Sequence, residues 1–215
     1  MYYTMDEDTE RIVEVTLENL QKNGFAAFYV PSKEEALRKV LAIIPADAKV
    51  GVGGSVTIRE IGLVEALDKR GNHLVDHWRI GLSSEEARDA RHNQPVSDIF
   101  LSSSNAVTMD GKLVNADGTG NRVAAMIFGP RKVIIVVGVN KIVTDVDEGL
   151  KRIRNVASPM NAKRLGSRSP CALTGTCAED RCEVPWRLCH VIVIIERRPS
   201  ETDTTVVLVG ESLGY

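Results

Sequence analysis

Residues 132–138 read Lys-Val-Ile-Ile-Val-Val-Gly, and positions 133–137 carry no polar side chain. Side chains along a strand point alternately to its two faces. A strand that is apolar at every position is therefore buried on both, as happens where helices cover a parallel sheet above and below. This segment alone points to an α/β fold with a mainly parallel central sheet and helices on both faces.

The rest of the chain supplies such partners. Ile12, Val13, Leu17 and Leu20 recur at helical spacing after Thr9, a capping residue, and Asn23-Gly24 ends the helix. Residues 25–30 form a short apolar run that reads as a strand. Ser32 and Glu35 have the spacing of a capping box, Ala36, Leu37, Val40, Leu41 and Ile44 face inward, and Pro45 stops the helix. Strands are expected at 49–52, 73–78, 98–101, 190–196 and 204–209. Helices are expected at 56–70, 85–92, 121–128, 145–156 and 159–165. Asp110-Gly111 marks a type I′ hairpin turn within 106–114. Residues 170–189 contain Pro170, Gly175 and Pro185 without periodicity and read as a cysteine-rich loop. We expect residues 46–215 to form the main α/β domain, with residues 1–45 as an N-terminal helical lobe packed on it.

The charge balance narrows the partners. With 27 basic and 29 acidic residues the net charge is −2, and aromatics make up 5% of the 215 residues. Neither a basic surface nor a set of stacking rings argues for nucleic acid, and nothing argues for an anionic membrane. No apolar run approaches the ~20 residues of a membrane span, and residues 1–10 are acidic where a leader needs a basic start. A soluble, cytoplasmic protein is expected.

Three segments carry the candidate chemistry. Gly51-Val52-Gly53-Gly54-Ser55-Val56-Thr57 joins a strand to a helix. In open α/β sheets ligands bind at the carboxyl ends of strands, and a helix start attracts anions. A tight turn capped by Ser55 is the plainer account. Ser102-Ser103-Ser104-Asn105 and Asn115-Ala116-Asp117-Gly118-Thr119-Gly120-Asn121-Arg122 crowd short polar side chains between apolar elements. Asp117 is a candidate general base there, although turns favour the same residues for conformational reasons. Lys141 follows the 132–138 strand, where a cation meets a phosphate or carboxylate. The third segment holds Cys171, Cys177, Cys182 and Cys189. Four thiolates suit zinc or an iron–sulfur cluster. A redox dithiol or disulfide and four unligated residues remain alternatives. Arg168, Arg181 and Arg187 are expected to favour thiolates.

In combination these motifs resemble the LUD-domain family of lactate-utilisation proteins, together with Gly138-Val139-Asn140-Lys141 and Val207-Leu208-Val209-Gly210-Glu211-Ser212-Leu213-Gly214. The resemblance implies a fold similar to glucosamine-phosphate deaminase, ribose-phosphate isomerase and coenzyme A transferases. It assigns Gly53, Gly54, Ser55 and Thr57 to one wall of an anion site. Ser104, Asn105, Asp117, Gly118, Thr119 and Lys141 form another. From the residues themselves Gly120 joins that wall, and in an enzyme Asp117 and Lys141 are the catalytic pair, Asp117 as base and Lys141 neutralising the anion. It implies an accessory protein or subunit of L-lactate oxidation that works with iron–sulfur partners and holds an iron–sulfur cluster or zinc at the four cysteines. The residues themselves equally allow a stand-alone enzyme or binder for a small phosphorylated or carboxylated metabolite, such as a sugar phosphate or coenzyme A ester. A non-catalytic binding module is a third option. A homodimer is the default assembly.

Overall fold

The computed structural model describes residues 7–178, 182 and 187–215. The chain runs α1 (Glu7–Lys22), β1 (Ala26–Val30), α2 (Lys33–Ile43), β2 (Lys49–Val52), α3 (Val56–Glu60), α4 (Leu63–Arg70), β3 (His73–Asp76), α5 (Ser84–Asn93) and β4 (Ile99–Ser102). It continues through β5 (Ala106–Thr108), β6 (Leu113–Asp117), α6 (Asn121–Ile127), β7 (Lys132–Gly138), β8 (Ile142–Val143), α7 (Val146–Arg152), α8 (Ser158–Arg164), α9 (Pro170–Thr174), β9 (Val191–Ile195) and β10 (Asp203–Val209).

Six strands form one sheet in the order β1-β10-β7-β4-β2-β3, and every neighbouring pair is parallel. β7 lies inside it, and its side chains divide between two cores as the all-apolar run requires. Ile134 and Val136 pack with Val40, Ile58, Leu63 and Leu67 of α2, α3 and α4. Val133, Ile135 and Val137 pack with Val13 and Leu20 of α1 and Met126 of α6. Each fully buried aliphatic side chain contributes roughly 1.5–3 kcal/mol, so this interior strand anchors both layers.

Three features differ from the sequence reading. Residues 26–30 form the strand expected of the 25–30 run, but it is an edge strand of the central sheet, in register with β10, and not part of a lobe packed on that sheet; Pro31 releases the chain from it. The expected 56–70 helix is two helices, because Gly62 at φ 72 turns the chain between α3 and α4. The Asp110-Gly111 turn is not type I′. That turn needs two positive φ values, and Gly111 has one while no non-glycine residue does. The Gly111 N–H instead bonds the Thr108 carbonyl, and the Thr108 N–H bonds that of Lys112.

The hairpin belongs to a second sheet of order β8-β5-β6-β9. β6 pairs antiparallel with β9, and Val107, Leu113 and Ile195 close this layer onto the α1 side of the main sheet. Among the described residues no helix is long and apolar enough to cross a membrane.

Candidate functional site

β2 runs outward to β3 at the edge of the sheet, and the chain then returns to place β4 on the other side of β2. Such a reversal opens a crevice beyond the carboxyl ends of the strands. A cavity of about 240 Å3 lies there, lined by residues that follow β2, β3, β4, β6 and β7 together with α8 and Tyr215. Its size is just below the usual range of small-molecule sites, roughly 300–1,000 Å3.

The structure brings together Gly54, Ser55, Thr57, Ser104, Asn105, Asp117, Gly118, Thr119 and Lys141 on this cavity wall. Gly53 and Gly120 do not line it. The Gly53 N–H bonds the Leu101 carbonyl, and a Cβ there would meet the Phe100 ring at 2.9 Å. Gly54 is glycine for a similar reason, since its Cβ would lie 2.8 Å from Trp78. Ser55 Oγ caps α3 by accepting from the Ile58 N–H at 3.3 Å. The glycine loop is thus explained by close packing and a cap, and the cation in the cavity comes from elsewhere.

That cation is Lys141. The residue is 2% exposed, and its Nζ donates to Thr57 Oγ1 at 2.9 Å and to Ser103 Oγ at 3.1 Å. No carboxylate pairs with it among the described residues. Burial, reinforced by the positive charges of Arg152 and Arg122, lowers its pKa to about 7. Gly214, at φ +56, lets the C-terminal segment cross directly over Thr57 and Lys141.

Arg122 is a second cation on this wall. Its guanidinium donates to the Ser103 and Ala116 carbonyls and to Asn105 Oδ1 and Asn115 Oδ1. Its Nε lies 3.2 Å from Asp117 Oδ2. Asp117, the expected general base, uses its other oxygen to accept from the Thr119 and Gly120 N–H groups. Both carboxylate oxygens are thereby engaged in holding the 117–122 loop. Ser104 Oγ is turned to the Ala106 and Val114 carbonyls.

Several wall residues were not assigned to the site from sequence, where Trp78 reads as packing and His77 as a strand-flanking residue without a recognisable partner. Two cations lie over the Trp78 ring, Arg59 at 5.0 Å and Arg164 at 4.1 Å from its centre. Arg164 Nε donates to the Tyr215 hydroxyl at 2.7 Å. Arg91 and His77 complete that side. Arg122 stood inside a quoted motif, and its position one turn after a glycine-rich loop was the available signal. Nothing local marks Arg91, Arg164 or Tyr215.

The four cysteines border a separate recess of about 40 Å3 with Ile153, Leu188 and Ile192. All four are free thiols. Cys189 Sγ shares a hydrogen bond with Ser158 Oγ at 2.9 Å, and Cys171 Sγ one with Ser169 Oγ at 3.3 Å. Among the described residues no three Cys, His, Asp or Glu side chains stand close enough together to hold a metal ion. Burial raises the Cys182 thiol against the lowering effect of Arg187, so the expected thiolate bias does not hold at that residue. Arg181 lies outside the described residues. Residues 170–174, expected as loop, form α9.

A family model described as LUD domain matches residues 13–209. The crystal structure of a DUF162-family protein from Deinococcus radiodurans is similar in fold, with a TM-score of 0.54 at 14% identity over 96% of this chain and 99% of that one. No protein of curated function matches the chain.

Proposed function

The chain belongs to the LUD-domain family, and from that premise we propose that it binds a small carboxylated or phosphorylated metabolite in the cavity over Lys141. The observation that carries this reading is a buried lysine on a cavity wall, bonded only to the hydroxyls of Thr57 and Ser103. A buried ammonium with no carboxylate in contact is costly; Glu60 offsets its charge only from a distance, and an incoming anion supplies the missing contact. Asp117 and Arg122 set the shape of the opposing wall.

A thermal-shift screen against inorganic phosphate, sugar phosphates, L-lactate and coenzyme A esters tests the proposal. An anion that raises the melting temperature of the wild type, but not of Lys141→Ala or Thr57→Ala, supports it. No response across the panel, or equal responses in the variants, overturns it.

The convergence of four cysteines on one recess favours a second role, as an accessory of L-lactate utilisation alongside iron–sulfur partners. The thiols as arranged are not a ready ligand set, so no metal-dependent step is derived. A cluster or zinc would require the recess to close around it. Anaerobic purification followed by metal analysis decides this. Stoichiometric iron or zinc supports the role, and a colourless, metal-free protein that keeps its fold with all four cysteines changed to serine overturns it.

A further inference from the structure

Gln94 is fully buried at the end of α5, and its amide has four partners, the most distant being the Val75 carbonyl at 3.4 Å from Nε2. Its Nε2 donates to the Val52 carbonyl at 2.6 Å. Its Oε1 accepts from Asn121 Nδ2 at 2.9 Å. A backbone carbonyl only accepts, so Val52 settles which amide atom is the nitrogen. That nitrogen also lies 2.8 Å from His77 Nδ1. An amide nitrogen only donates. His77 Nδ1 must therefore be an unprotonated acceptor, and the ring is the neutral Nε2–H tautomer. A charged imidazolium would set an N–H against the Gln94 N–H.

The surroundings agree. Burial first, then the positive charge of Arg91, hold the His77 pKa down to about 4. The charged groups facing the ring are Asp76 at the end of its own strand, Arg59 from α3, Arg91 from α5 and Asp117 at the end of β6. His77 lines the same cavity as Lys141, and its Nε2–H has no hydrogen-bond partner among the described residues.

We propose that His77 is a specificity-determining residue, whose Nε2–H donates to a neutral oxygen, hydroxyl or carbonyl, carried beside the anionic group of the ligand. The inference rests on the cavity reading above and deepens it. Lys141 answers the charge, and His77 separates acids that bear such an oxygen from those that do not. Gln94 acts through His77 as the positioning residue that fixes the tautomer. A neutral donor suits a neutral oxygen, because it adds no charge that would reward a simple anion.

The test is a minimal ligand pair, L-lactate against propionate, titrated calorimetrically at pH 7. The acids differ by one hydroxyl. Wild type is expected to prefer L-lactate by about tenfold, the scale of one net hydrogen bond. His77→Asn keeps an acceptor for Gln94 near the Nδ1 position but removes the Nε2 donor. It should lose the preference while holding propionate unchanged. His77→Gln returns an N–H near the Nε2 position and should restore it. A His77→Asn variant that keeps the preference, or weakens both acids equally, overturns the proposal. The 15N spectrum of the ligand-free protein gives a second readout. The Nε2–H tautomer at pH 7 supports the proposal, and an Nδ1–H tautomer or a doubly protonated ring overturns it. Failure of wild type to bind either acid or inorganic phosphate would remove the cavity reading and this inference with it. Binding that is indifferent to His77 removes this inference alone.

Discussion

The Lys141 amine lies 2.9 Å from the Thr57 hydroxyl, although 84 positions separate them in the chain. Thr57 sits in the first turn after β2 and Lys141 follows β7, so the contact spans β4, the strand between them in the sheet. It draws two strand-end loops into one wall. Because the contact is buried and lacks a carboxylate, it works against folding when Lys141 is charged.

Replacing Lys141 by Met should therefore stabilise the protein while removing anion binding. The unfolded lysine titrates near ~10.4 and the folded one near 7. Between those values the unfolded chain holds more protons, so stability rises with pH across that window. Below pH 7 the cost of the charge is present in full. At pH 6.5 the variant should be more stable by on the order of 2–4 kcal/mol, with most of the gap gone by pH 9.5. Urea unfolding at the two pH values measures it; a variant equally destabilised at both would contradict the assignment.

Anion affinity should follow the same proton in the opposite sense. A carboxylate prefers the ammonium form, so the Kd for L-lactate should be flat below pH 7. Above it, affinity should weaken up to about tenfold per pH unit. Calorimetric titration from pH 5.5 to 9 reads this directly, and an affinity that strengthens with pH would rule out Lys141 as the seat.

Arg122→Met should be strongly destabilising, because it strands Asp117 and removes donors to Asn105 and Asn115. Breaking a buried pair costs ~3–5 kcal/mol. Adding Asp117→Asn should recover part of that loss, which a double-mutant cycle by urea unfolding resolves. Strict additivity would mean that the two side chains do not act as a pair.

Cys189 and Ser158 border both the anion cavity and the cysteine recess. A bound anion should thus slow modification of Cys189 by a thiol-reactive dye several-fold and leave Cys177 unchanged, as peptide mapping would reveal. Equal rates with and without the anion would mean that the ligand does not reach this wall.

Much of this arrangement was legible in local sequence. The five apolar positions 133–137 imply a strand covered on both faces, and β7 is one. The polar loops 53–57, 102–105 and 115–122 stand out because each follows an apolar run at a strand end. Other parts leave no local trace. β6 pairs with β9 across a long separation, and no periodicity announces a partner that distant. His77 and Gln94 are single polar residues in ordinary strand-end and helix-end contexts. Only the packing of α5 beside β3 makes them a hydrogen-bonded pair. The cysteines show the converse case, where close spacing in sequence produces a shared recess but no ligand geometry among the described residues.

The central claim concerns the charge state of one amine in one cavity. A 13C titration of the Lys141 side chain, assigned by comparison with Lys141→Met, measures it with and without L-lactate. The account predicts a midpoint near 7 in the free protein, rising by at least one unit when the acid binds. A midpoint near that of an exposed lysine, or one that the acid leaves in place, would contradict it.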